Sequence, residues 1–349
     1  MPNRGAELNT PLIQLAPMEG VLDWVLRELL SEVGGVDRMV TEFVRVTDKL
    51  LPDHVFFKYS PELERGGQTL NGTPVFVQLL GGQAGPMAEN AFRLSQIGAP
   101  GIDLNFGCPA KTVNRHDGGA AILKQPERVY EITRTVREAL PAATPVTIKV
   151  RLGFDHKDFH KEIAQAADEA GAAHIVVHAR TKTEMYTPPA HWHYIASMRS
   201  GRNIPFLANG EIWSTEDYRA CTLASGVQRV ALGRGLVRNP LLAWQIKSNL
   251  GLSALPPEFD AGQFLEKFFD RSREFRGEAY SVARVKQLLR YWAPADRVFE
   301  SWFNRAKIVH DIREMTDLIF EFRKESPWPL KLNSTLGTTA PTASAPNLY

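Results

Sequence analysis

Cys108 stands in the stretch LNFGCPAKTVNRHDGGAAIL, residues 104–123, between a glycine and a proline where an apolar run meets a glycine-rich loop. It is one of only two cysteines in 349 residues. A thiol with an unperturbed pKa of about 8.5 is mostly protonated at neutral pH, which suits a proton donor. Elsewhere Gln78, Lys149 and His178 close apolar runs, and ANGEI (208–212) and LGRGL (232–236) place glycines where backbone N–H groups can approach an anion. Taken singly, each has a structural account: a buried thiol, a core histidine on a carbonyl, glycines in tight turns. Cys221, inside TEDYRACTLASG, is read as packing only.

The elements that must position these groups repeat between residues 11 and 250: a short apolar run, a loop, then an amphipathic stretch. The runs are LIQLAP (12–17), RMVTEF (38–43), PVFVQLL (74–80), GIDLNF (101–106), PVTIKV (145–150), HIVVHA (174–179), IPFLAN (204–209) and RVALG (229–233). Nearly continuous apolar strands separated by helices indicate a parallel sheet covered on its faces. Eight of them predict an α/β fold, a (β/α)8 TIM barrel. Such barrels carry their sites at the C-terminal strand ends, and each run here ends in polar or glycine residues. The loops after the seventh and eighth strands are the usual phosphate cradle, with Arg234 as counter-charge. An amide that both donates and accepts, together with a lysine able to stabilise a reduced flavin, suits FMN at the ring end, where Gln78, Lys149 and His178 converge.

Composition sets the limits. Formal net charge is +2, from 41 basic and 39 acidic side chains, so a polyanion would have to be held by a local basic patch. Two cysteines make no disulfide framework, and neither lies at zinc-ligand spacing, so no metal is expected. Neither a leader-like N-terminus nor a run of about 18 apolar residues is present, which predicts a cytoplasmic protein with no membrane partner. From LPPEF (255–259) onward the pattern is helical alone. Arg284, Lys286, Arg290, Arg297, Arg305 and Lys307 alternate there with Tyr291, Trp292, Phe299, Trp302 and Phe303. Taken alone, the stretch reads as a solvated charged helix face with its aromatics in the core; exposed aromatics within a basic patch would instead stack on unpaired bases. The expected organisation is a flexible N-terminus (1–11), a catalytic barrel (12–250), a helical domain (256–325) and a disordered tail (326–349).

With these residues in place, the chain resembles the tRNA-dihydrouridine synthases from about residue 12 to about 325, and TEFVRV (41–46) and VARVKQLL (282–289) look most like their bacterial dihydrouridine synthase C branch, which acts on uridine 16. LAPMEGVLD, NFGCPAKTV, IKVRLG, VVHAR, NGEI and LGRG follow one another as that family's landmarks do. The resemblance implies a barrel holding FMN tightly and a small C-terminal helical domain. It also implies reduction of the uridine C5–C6 double bond in the tRNA D-loop, with NADPH as electron donor. It assigns FMN binding to Pro17, Met18, Glu19, Gln78, Lys149, His178, Asn209, Gly210, Glu211, Gly233 and Arg234, and proton donation to Cys108. Arg45, Asn105, Tyr186 and Lys286 would contact tRNA, and Arg151, Arg284 and Arg290 are grouped with them. A monomer is expected. The resemblance does not account for Arg115, His116 and Asp117. Two other readings share the pattern: an FMN-dependent oxidoreductase of free pyrimidines of the dihydroorotate dehydrogenase kind, and a non-catalytic RNA-binding barrel.

Overall fold

Among the described residues nine strands follow one another: β1 (Ile13–Leu15), β2 (Arg38–Val40), β3 (Val44–Arg45), β4 (Val75–Leu80), β5 (Ile102–Phe106), β6 (Val146–Arg151), β7 (His174–His178), β8 (Phe206–Asn209) and β9 (Val230–Leu232). This computed structural model describes residues 10–253 and 255–325. All the pairings in the sheet are parallel, in the order β2-β1-β9-β8-β7-β6-β5-β4, and β2 pairs with β4 to close the ring. The expected eight-stranded parallel barrel is therefore the observed one. The expected tail (326–349) and all but the last two residues of the expected N-terminal segment (1–11) lie outside the described residues.

The second run does not stay a single strand. Val40 is opposite Phe76 and Val44 opposite Leu79, so four steps along the run match three along β4. The one extra residue is absorbed at positions 41–43, where the Thr41 hydroxyl accepts from the Gln78 N–H at 3.0 Å. Bulges of this kind collect at barrel rims, where they re-aim side chains. Here Glu42 accepts from the Gly20 N–H at 2.6 Å.

Helices α1 (Trp24–Val33), α2 (Asp53–Tyr59), α3 (Ala84–Gln96), α4 (Lys111–Arg115), α5 (Pro126–Ala139), α6 (His160–Glu169), α7 (His193–Arg199) and α8 (Thr215–Ser225) fall between the strands. The pattern that makes them is plain in α5. Pro126 opens the helix and Glu127 and Arg137 lie at the ends that suit the helix dipole. Val129, Ile132, Thr133 and Val136 are buried at the helical spacing. Each fully buried Val or Ile contributes roughly 1.5–3 kcal/mol. Inside the barrel, Ala16, Val176, Leu207 and Ala231 make an apolar layer on one side. The opposite side carries the buried polar residues Gln78, Asp103, Asn105 and Thr147.

The chain divides into two compact units, one containing residues up to Trp24 with Val36–Gly233, the other Val25–Gly35 with the chain from Arg234. The second holds α9 (Arg234–Arg238), α10 (Leu242–Asn249), α11 (Ala261–Arg276), α12 (Glu278–Trp292), α13 (Arg297–Ala306) and α14 (Ile312–Glu325). Its core is aromatic: the Trp292 ring lies 5.9 Å from Phe264 and 5.4 Å from Phe299, and Trp302 meets Phe322 at 5.1 Å. Trp292 also donates to the Val237 carbonyl at 3.0 Å. This corrects the expectation of exposed aromatics, because Trp292, Phe299 and Trp302 are buried. No helix among the described residues is long and apolar enough to cross a membrane.

Candidate active site

Six of the barrel's strands, β4 to β9, carry the residues of interest near their C-terminal ends. From β5 the chain turns sharply at Gly107 and Cys108, whose N–H groups both donate to Asn105 Oδ1 at 2.9 Å. Arg151, buried at the end of β6, holds the same turn from the other side by donating to the Gly107 carbonyl at 2.8 Å. It also donates to the Thr181 and Met185 carbonyls, each at 2.9 Å. The Cys108 carbonyl accepts from Asn114 Nδ2 at 3.0 Å and the Ala120 N–H at 3.1 Å. The thiol itself is buried beside Leu80 and Val113, with Phe43 and Ala110 at the edge.

Burial pushes the Cys108 thiol above its ordinary pKa; a backbone hydrogen bond at Ala110 opposes this, Glu19 adds to it, and Arg151 and Lys149 oppose it. The group is a protonated acid at neutral pH. Lys149 comes from the same face of β6 as Arg151. Desolvation first and the Arg151 charge second push its ammonium down to about 8, against Asp103 and Cys108. Although Lys149 sits deep enough for that shift, its side chain retains some solvent access. A lysine poised near neutrality in such a place suits an anionic ligand. Glu19 is raised to about 7, by desolvation and then by Glu42, even though its side chain reaches the exposed rim.

Asn209 ends β8 and donates to the Ala231 carbonyl at 2.7 Å, tying β8 to β9. Gly210 follows at φ 108°, and a Cβ there would lie 2.9 Å from His178 Cδ2, so neither the backbone angle nor the space admits a larger residue. Gly233 differs: a Cβ would meet only Met18 Sδ, at 3.5 Å, and would otherwise project into open space. That is a cradle into which a ligand can press against bare backbone. The fully buried guanidinium of Arg180 pairs with Glu211 at 2.9 Å and lies 3.4 Å from His178 Nε2.

The dihydrouridine synthase (Dus) family profile matches residues 14–319. This chain belongs to the dihydrouridine synthase family. It is 49% identical over 279 residues to the tRNA-dihydrouridine(16) synthase of Pseudomonas putida, covering 79% of this chain and 86% of the relative. The like-named protein of Neisseria meningitidis serogroup B is 43% identical over 317 residues, 90% of this chain and 95% of the relative. Among solved structures, histamine dehydrogenase from Rhizobium sp. 4-9 has a similar fold, with a TM-score of 0.51 at 16% identity over 72% of this chain and 48% of that one.

The residues that this dihydrouridine synthase family chain was expected to turn toward tRNA are found in different settings. Arg45 is exposed on β3, whereas Asn105 and Arg151 are buried in the turn around Cys108. Tyr186 is 39% exposed, with its ring 5.9 Å from His178 and the Arg151 guanidinium 5.4 Å from its centre. In the helical unit Arg290 is exposed and Lys286 half-buried. Arg284 is buried, its guanidinium 5.2 Å from the Phe268 ring centre.

The loop bearing Tyr186 is held by Glu184. Burial would raise that carboxyl, but hydrogen bonds from Lys157 and the Thr181 N–H, with the charges of Lys157 and His191, hold it down to about 2. Its folded value lies below the ordinary 4.5, so the stabilisation is complete above that pH and is lost as pH falls toward 2. Hydrogen exchange of residues 181–187, measured from pH 5 to pH 2.5, is expected to quicken relative to β7 after correction for intrinsic rates. A constant ratio would remove Glu184 from this role.

The structure also explains part of the RHD triplet. Asp117 sits at φ 57° and pairs with Arg128 at 2.7 Å, while Arg128 also donates to the Gly82 carbonyl at 2.8 Å. Asp117 therefore fastens the loop after Cys108 to the loop after β4; Arg115 and His116 are exposed. Two residues outside the expected set belong to the site's framework, Arg180 and Asp103. A charged residue inside an otherwise apolar strand, as in GIDLNF, is the signal that would have found the second.

Proposed function

We propose that the chain is a tRNA-dihydrouridine synthase that reduces the C5–C6 double bond of a D-loop uridine, at position 16, with FMN as bound cofactor and NADPH as electron donor. Membership of the family and the name shared by its relatives support this reading. The observation that carries it is the buried thiol of Cys108 in a turn at a barrel strand end, held by Asn105 and Arg151; burial raising the thiol's pKa is consistent with a proton donor.

The residues fit FMN on two grounds, the desolvated Lys149 ammonium at the end of β6, which an anionic group would satisfy, and the bare backbone of Gly233 beside Met18. Pro17, Met18, Glu19, Gln78, Lys149, His178, Asn209, Gly210, Glu211, Gly233 and Arg234 would hold it. When bound, FMN supplies the hydride that adds to C6. The protein must then deliver a proton to C5, because C6 is conjugated with the C4 carbonyl and hydride addition leaves an enolate-like charge. Cys108 gives up its thiol proton, forming the C5–H bond and leaving a thiolate that water reprotonates. General acid help of this kind is typically worth 10²- to 10⁴-fold. Lys149 stabilises negative charge on the cofactor side of the site.

The uridine must leave its stacking partners to reach a barrel mouth, which is base extrusion. Arg45 and Tyr186 of the barrel unit and Lys286 and Arg290 of the helical unit are the contacts we propose for the RNA, with a monomer in the cytoplasm as the working form. Mapping dihydrouridine in tRNA from cells with and without this protein tests reaction and position together. Loss confined to position 16 is expected. A retained modification at that position, or reduction of uracil or orotate in place of tRNA by the purified protein, would overturn the reading.

A further inference from the structure

Asp103 lies wholly buried inside the barrel on β5 and accepts two hydrogen bonds, from Thr147 Oγ1 at 2.5 Å and from Gln78 Nε2 at 2.7 Å. An amide side chain can be turned two ways, and the acceptor decides which. With Nε2 drawn to Asp103, Gln78 must present Oε1 on its other side, where it accepts from Asn105 Nδ2 at 2.8 Å. That in turn directs Asn105 Oδ1 to the loop, where it receives the N–H groups of Gly107 and Cys108, both at 2.9 Å. Every orientation in the chain is set by the one before it, and the first is set by a residue that cannot be turned.

We propose that Asp103 is the positioning residue of this site: through Gln78 and Asn105 it fixes the backbone turn that presents the Cys108 thiol. The functional part of this inference rests on Cys108 being the proton donor, whereas the geometric part does not. What the chain of hydrogen bonds requires of position 103 is an acceptor facing Gln78, not a charge. Asparagine meets that requirement, since its oxygen can face Gln78 while its Nδ2 donates to the Thr147 hydroxyl. Leucine fills the space without offering an acceptor, so Gln78 and then Asn105 are free to turn.

The test is hydrogen exchange of residues 104–110 and the alkylation rate of Cys108 by iodoacetamide, read on the same peptide, in full-length Asp103→Leu and Asp103→Asn proteins. Asp103→Leu is expected to exchange and alkylate about 10-fold faster in this segment, the loss of about one buried hydrogen bond, with β7 unchanged. Asp103→Asn should stay within about 2-fold of the wild type. Dihydrouridine formation in Asp103→Leu should fall in kcat with KM for tRNA little changed. Wild-type exchange and alkylation in Asp103→Leu, or an Asp103→Asn as loose as Asp103→Leu, would overturn the proposal. Should Asp103→Leu not fold, Gln78→Met cuts the same chain one link on, and a turn that stays protected in that variant overturns it equally. If the turn loosens as expected but Cys108→Ala retains full turnover, the positioning stands and only the role given to the thiol fails.

Discussion

Replacing Cys108 with alanine is expected to lower dihydrouridine formation roughly 10²- to 10⁴-fold while the protein still purifies with bound flavin. The two halves of that result have separate physical origins. The residues proposed to hold FMN come from the ends of β4, β6, β7, β8 and β9 and the loop after β1, and the turn carrying Cys108 contributes none of them. The backbone of that turn is fastened through Asn105, Arg151 and Asn114, whose bonds reach backbone atoms that alanine keeps. Only the acid is lost. Serine at 108 is expected to do little better, because a hydroxyl gives up its proton far less readily than a thiol. Single-turnover reduction of tRNA, started from the reduced protein, measures the step directly. Unimpaired turnover in Cys108→Ala would remove the thiol from the mechanism, and loss of the yellow colour would show that the turn also supports the flavin.

The second large effect is on stability. Arg180→Met is expected to destabilise the barrel by about 3–5 kcal/mol, the usual cost of removing one partner of a buried ion pair. Arg180 is wholly buried, and its loss removes the charge that faces Glu211 at 2.9 Å, a carboxylate whose side chain is only 16% exposed. For a barrel unit of this size, a fall in Tm of roughly 10 °C follows. A double Arg180→Met/Glu211→Met protein should recover much of it, since the penalty comes from removing one half of the pair and keeping the other. A single variant melting within a degree or two of the wild type, or a double variant no better than the single, would show that the pair contributes little. His178, 3.4 Å from Arg180, should report the change in its NMR shifts.

The barrel was legible because its signal is additive: eight apolar runs, each ending in polar residues or glycine, leave few alternative folds. The extra residue at 41–43 was not, since TEF contains no glycine or proline to mark a break and only the pairing register with β4 reveals it. Cys108, Lys149 and Gly210 were legible as types at strand ends. Asn105 and Arg151 were legible as positions, but they hold the turn through backbone atoms, about which a sequence pattern carries no information. Asp103 passed unnoticed for a related reason: its partners Gln78 and Thr147 lie 25 and 44 residues away. The aromatics of α12 and α13 misled because Trp292, Phe299 and Trp302 share their stretch with cations, and composition does not say which side of a helix faces inward.

The burial that keeps the Cys108 thiol protonated also governs its chemical lifetime. Oxidants and electrophiles attack the thiolate, so a thiol held above its ordinary pKa and shielded by Leu80, Val113 and Phe43 is a slow target for both. Cys221 is better insulated still, with burial pushing it up to about 12. A cell under oxidative stress would then find neither cysteine of this protein easy to modify, and the thiol proposed as proton donor would outlast exposed, low-pKa cysteines elsewhere.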